Sequence, residues 1–154
     1  MKLTKPLAVR ESGQIFGVLI VLVLVIGIGF WLLFNYRNTT RNEGRAFGRQ
    51  VIEQLAINHD ANFLAASLGP QAKLDLSPMA QQDMIAKLQQ LGAPVGPLSV
   101  QGDITFQSQF FEPHGIFTAQ LNYPSGAMRM DVAISHPVGR WQIDTIGLST
   151  AAPP

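Results

Sequence analysis

The chain has 154 residues, of which 47% are apolar and 14% charged, with a net charge of +1, no cysteine, 14 glycines and 10 prolines. That charged fraction is well below the roughly one quarter usual in soluble domains, so part of the chain is not built for water. The length allows one compact domain plus an appendage and excludes a multidomain enzyme. The missing cysteine excludes disulfides, thiolate catalysis, zinc-thiolate sites and iron-sulfur clusters.

Residues 1–14 form a short basic tail with Lys2, Lys5 and Arg10. Residues 15–34 then read IFGVLIVLVLVIGIGFWLLF, 20 residues without a charge, Asn, Gln, Pro or Ser. As a helix this run is about 30 Å long, the thickness of a bilayer's hydrocarbon core. It has no polar stripe, as a buried core helix of a soluble protein would. It exceeds the apolar length of a signal peptide, and Asn35-Tyr36-Arg37-Asn38 follows instead of a small-residue cleavage pattern. The segment is therefore expected to be an uncleaved single-pass anchor. Phe30, Trp31, Phe34 and Tyr36 gather at its C-terminal end, where amphipathic rings favour lipid headgroups. Gly17, Gly27 and Gly29 are its small residues; Gly27 and Gly29 are candidates for close approach by a partner helix.

Residues 35–49 carry Arg37, Arg41, Arg45 and Arg49, one every four positions, which places them along one side of a helix leaving the span. Such a stripe suits anionic lipid or an acidic partner, each arginine near a membrane surface contributing about 1 kcal/mol. Residues 1–49 contain seven basic and two acidic side chains, a net of +5; residues 50–154 contain four and eight, a net of −4. An acidic domain poor in Lys and Arg repels phosphate backbones, so nucleic acid is not an expected partner. Three basic residues precede the span and four follow it. Because the first span usually sets topology, the short basic tail favours N-inside, C-outside insertion, with the C-terminal domain periplasmic in a Gram-negative inner membrane and a cytoplasmic placement the alternative.

The globular part, residues 50–149, reads as helices and then strands, a two- or three-helix α+β domain. Phe47, Val51 and Leu55, with Ala46 and Ile52, form one apolar face of a helix over 42–57. Asp60 caps a short second helix carrying Phe63, Leu64 and Leu68, which Gly69-Pro70 stops. Ser77-Pro78 caps a helix over 77–91 whose face is Met84, Ile85, Leu88 and Leu91, and Gly92 ends it. After Ala93-Pro94-Val95-Gly96-Pro97 the period changes to two. Leu98, Val100, Ile104, Phe106 and Phe110 share one parity. Glu112-Pro113-His114-Gly115 reads as a turn with proline second and glycine fourth. Phe117, Ala119, Leu121 and Tyr123 form a second strand, Pro124-Ser125-Gly126 a turn, Met128, Met130, Val132 and Ile134 a third strand, and His136-Pro137-Val138-Gly139 another turn. In the last strand Ile146 and Leu148 fall out of phase with Ile143, which predicts a bulge near Thr145. The result is a four-stranded antiparallel meander with one apolar face under the helices and one polar face. Residues 150–154 read as a disordered tail.

A helix, a short helix at DANFLAASLGPQ, the capped helix SPMAQQDMIAKLQQLG and four strands closing on GRWQIDTIGLS together resemble the nuclear transport factor 2-like, or cystatin-like, superfamily, over about residues 45–149. The resemblance is to small bacterial domains of unknown function in that group. It implies a sheet curled around the helices into a cone that can hold a small molecule, in a superfamily with many non-catalytic or dimeric members. Similar domains behind one N-terminal span occur in inner-membrane scaffold proteins of type IV secretion machines. Enzymes of the superfamily place Asp, His and Tyr inside the cone, and here Tyr123 is the clear ionisable residue on the apolar parity.

No catalytic constellation emerges. His59, His114 and His136 have no second ligand at metal-like spacing, and no phosphate loop, G-x-S-x-G elbow or C-x-x-C-H site occurs. No cofactor or metal is expected. Asn38-Thr39-Thr40 matches a glycosylation triplet but lies too close to the span. The polar sheet face remains: Gln101, Asp103, Thr105, Gln107, Gln109, Thr118, Gln120, Asn122, Arg129, Asp131, Gln142 and Asp144. Its uncharged amides and hydroxyls lose less on desolvation than Lys or Glu would, so Gln107, Gln109, Gln120 and Asn122 are candidates for partner docking, with Phe111 as an apolar anchor. The expected protein is a non-catalytic accessory or scaffold subunit of a larger membrane complex. Its expected partners are other membrane subunits and anionic lipid, with a homo-oligomer left open. The alternatives are a membrane-tethered small-molecule-binding domain and a secretion-machine scaffold.

Overall fold

The computed structural model describes residues 11–107, 112–137 and 139–151, with side chains from Phe16 onwards. The chain divides into two compact units, Met1–Thr39 and Thr40–Pro154. Helix α1 (Glu11–Ala56) carries the apolar run and the arginine recurrence. It is long and apolar enough to cross a membrane, with a mean hydropathy of 2.9 over its most apolar stretch, none of which is buried. The large side chains from Phe16 to Phe34 are exposed.

The second unit is α+β. Besides the end of α1 it contains α2 (Ala61–Ser67), α3 (Pro70–Asp75) and α4 (Pro78–Leu91). Among its described residues four strands, β1 (Ser99–Gln107), β2 (Glu112–Tyr123), β3 (Gly126–Ser135) and β4 (Gln142–Thr150), form one antiparallel sheet in sequence order. The helices start where short polar side chains satisfy orphan amides: Asp60 Oδ1 accepts from Phe63 N at 2.9 Å and Ser77 Oγ from Ala80 N at 3.3 Å. Gly92, at φ +80°, ends α4 in a conformation that favours glycine. Gly69 and Pro70 do end α2, but Pro70 also opens α3, where its fixed φ and missing N–H suit a first helical position. This extra turn is tied to the sheet by Gly69 N donating to Ile143 O at 2.9 Å.

One strand boundary differs from the sequence expectation. Residues 112–115 are the start of β2, not a turn: Gln107 pairs with Glu112, Phe106 with Pro113 and Ile104 with Gly115. Proline is tolerated because pairing to β3 begins only at His114, so the missing Pro113 N–H costs no ladder bond on that side. β1 ends at Gln107; Phe110, assigned to it from parity, lies outside the described residues. The last irregularity falls as expected. Ala133 pairs with Thr145 but Ile134 with Ile143, so Asp144 is the extra residue of a bulge that brings Ile146 and Leu148 back opposite Val132 and Met130.

The inner face of the sheet and the helices share one core. Ile104, Phe117, Leu121, Met130, Val132, Ile134 and Ile143 meet Val51, Ile52, Leu55, Leu64, Leu68, Ile85 and Leu88. α1 comes unusually close to the strands at two glycines. A Cβ on Gly44 would lie 2.5 Å from Trp141 and 2.6 Å from Ile104, and one on Gly48 2.5 Å from the Phe117 ring. Trp141 stacks on Phe47 at a centroid distance of 6.4 Å.

Candidate functional site

The outer face of the sheet is organised in rows across the strands. One row is Thr105, His114, Ser135 and Gln142; the next is Asp103, Ile116, Ala133 and Thr145; a third is Gln101, Thr118, Asp131 and Gly147. Ile116 stands in the middle row with 69% of its surface exposed, flanked by the small Ala133 and the polar Asp103. Beside it runs a groove of about 360 Å³ lined by Asp103, Thr105, Gln107, His114, Ile116, Ala133 and Asp144, with Gly115 and Ile134 at its base.

The charged groups of this face are mostly paired. Arg45 Nε donates to Asp103 Oδ1 at 2.9 Å, while Arg41 Nε lies 3.9 Å from the same oxygen. The Arg45 hydrogen bond, and then the Ile104 amide, hold the Asp103 carboxyl below its ordinary value of 3.8. Asp131 accepts from Arg129 Nε at 2.9 Å and from Thr118 Oγ1 at 2.6 Å, and its carboxyl is lowered chiefly by Arg129. Asp144 Oδ1 accepts from Ser135 Oγ at 2.8 Å and Gln142 Nε2 at 3.1 Å. His114 Nε2 stands 4.0 Å from Glu112. Among the described residues no group of three His, Asp or Glu side chains is disposed to hold a metal.

The sequence candidates are distributed unevenly. Gln107, Gln120 and Asn122 are exposed on the outer face, but Gln107 pairs with Glu112 at one end of β2 while Gln120 and Asn122 lie at the other. Eight positions along a strand is about 27 Å, so these side chains form no single patch. Gln109 and Phe111 lie outside the described residues. Of the arginine stripe, Arg41 and Arg45 face Asp103, whereas Arg45 and the exposed Arg49 border a shallow depression with Ala46, Gln50 and Glu53. Arg37 belongs to the first unit. A Cβ on Gly27 or Gly29 would meet nothing within 4 Å, so that part of α1 has open flanks. Tyr123 is buried on the inner face, its hydroxyl without a hydrogen-bond partner among the described residues and its pKa raised by burial.

Ile116 was not legible as a site residue because Glu112-Gly115 reads as a turn, which makes Ile116 the lead-in to a strand rather than part of one. The signal was nonetheless present: Ile116 and Phe117 are adjacent, and in a strand one of two adjacent apolar residues must face away from the core. Comparison with protein-family models, curated proteins and solved structures finds no match to this chain.

Proposed function

We propose that the chain is a single-span, non-catalytic accessory subunit that docks a protein of a larger membrane complex through the outer face of its sheet. The observation that carries this reading is Ile116, an isoleucine 69% exposed at the centre of an otherwise polar face and beside a groove. An aliphatic anchor set among polar side chains, with Asp103, Thr105, Gln107, His114 and Asp144 lining the groove beside it, suits an interface core with a polar rim. The open flanks at Gly27 and Gly29 suit a neighbouring helix in lipid, and exposed Arg49 suits anionic headgroups. The reading includes a C-terminal domain on the exoplasmic side of an inner membrane. The reading takes the domain to be nuclear transport factor 2-like in layout.

A photo-crosslinking amino acid at Ile116 in intact cells tests the docking. A discrete adduct is expected from this position and none from Lys87, on exposed α4 surface. A chain that extracts in mild detergent as a monodisperse monomer with no adduct at Ile116 overturns the reading. One observation favours the second reading, a small-molecule site in the concave face: the unpartnered hydroxyl of Tyr123. Against it, the side chains around that face are closely packed hydrocarbon, with Leu121, Met130 and Leu88 fully buried.

A further inference from the structure

Three aspartates of the outer face differ in their surroundings. Asp103 faces Arg45 and Asp131 faces Arg129, each at 2.9 Å. Asp144 instead receives two neutral donors on one oxygen, and among the described residues no cation pairs with it. Its position follows from the bulge, which inserts Asp144 between the rows of Ser135 and Ala133; re-aiming a side chain is a common role of such bulges. Ser135 is only 5% exposed, so the donor that fixes the carboxylate is itself held by packing. The second oxygen, Oδ2, accepts no hydrogen bond among the described residues.

The groove of about 360 Å³ joins this carboxylate, past Ala133, to the exposed Ile116. β2 and β4 are two strand spacings apart, about 10 Å. A fixed anion at one end and an aliphatic wall at the other match a side chain that is apolar along its stem and cationic at its tip. The folded unit Thr40–Pro154, with seven basic and nine acidic side chains, has a net charge of −2, which favours a cationic partner over an anionic one.

We propose that the outer face receives a lysine or arginine side chain from a partner protein, the cation on Asp144 and the methylene stem on Ile116. Ser135 and Gln142 are positioning residues that orient the carboxylate. This rests on the docking reading above and names the chemistry of its partner.

The isotope-labelled full chain in maltoside micelles, titrated with Nα-acetyl-lysine methylamide and with its neutral counterpart Nα-acetyl-norleucine methylamide, tests the cation directly. Saturable amide shifts at Ile116, Ala133 and Asp144 are expected with the lysine compound. Binding about tenfold weaker is expected for the norleucine compound, and for the lysine compound on Asp144→Asn, the loss typical of a charge-assisted hydrogen bond. Asparagine keeps an oxygen for Ser135 and Gln142, so the fold is retained, and Asp131→Asn on the same face leaves the titration unchanged. Equal binding of the two compounds, no saturable shift, or an unaffected Asp144→Asn overturns the proposal. In cells, Asp144→Asn is expected to lower the Ile116 adduct about tenfold. An undiminished adduct overturns the cation while the docking stands; no adduct in the unmodified chain overturns the docking itself.

Discussion

Gly44 and Gly48 show how a single missing carbon shapes this domain. Four residues apart on α1, they lie on one side of the helix and let its backbone rest on Ile104, Trp141 and Phe117. Phe117 is buried and cannot swing aside. Gly48→Ala is therefore expected to destabilise the domain by about 1–3 kcal/mol despite alanine's better helix propensity, because overpacking a filled core outweighs a propensity gain of about 1 kcal/mol. Urea denaturation of the two chains measures this, and an alanine variant as stable as the original refutes the close packing. Asp103 supplies a second residue-scale test. Its folded pKa lies below 3.8, so its contribution to stability is present above that value and is lost as pH falls through the folded value. The side chain is 50% exposed, so the solvent-screened contribution is below about 1 kcal/mol. The melting temperature of Asp103→Asn is expected to lie below that of the original at pH 6, and the two are expected to converge as pH falls through the folded value. A constant difference across that range would assign the loss to packing instead.

At the scale of elements, the sequence is most legible where local chemistry acts alone. Asp60 and Ser77 announce α2 and α4 because a side-chain oxygen at a helix start has one function, accepting an orphan amide. Asp60→Ala is expected to cost about 1 kcal/mol, measured as lowered protection of the α2 amides from hydrogen exchange, whereas Asp60→Ser restores most of it. The bulge at Asp144 was legible as a phase slip, since the period of two makes a one-residue insertion visible. The start of β2 is not, because Pro-x-Gly has turn chemistry unless a neighbouring strand captures it, as β1 does here with Gln107 only five positions before Glu112. α3 was missed for the complementary reason: a six-residue helix has no full period to read and is fixed by the contact of Gly69 with Ile143, 74 positions away. The outer-face candidates suffered likewise. Gln107, Gln120 and Asn122 do lie on the outer face, but parity does not say which rows lie side by side, so it groups residues at opposite ends of β2 and does not bring Ile116 and Asp144 together.

For the whole molecule, the apolar run accounts for only part of the low charge. Without residues 15–34, 21 charged residues remain in 134, about 16%, and the shortfall lies in a domain whose outer face is built largely of Gln, Thr and Ser. In the membrane placement proposed above, the side that this domain occupies depends on an imbalance of similarly small size. The arginines that follow the span would oppose the basic tail during insertion, and the pairing of Arg41 and Arg45 with Asp103 requires the folded domain, so it cannot relieve the opposition at that stage. The exoplasmic placement proposed above requires that Lys2, Lys5 and Arg10 outweigh the four arginines. A cysteine in place of Ser125, exposed in the β2–β3 turn, is expected to react with a membrane-impermeant maleimide in cells with a permeabilised outer membrane. Replacing Lys2, Lys5 and Arg10 together by glutamine while keeping Arg37, Arg41, Arg45 and Arg49 is expected to invert the result, leaving the cysteine protected. Protection in the unmodified tail would place the acidic domain in the cytoplasm, with the four arginines having outweighed the three basic residues.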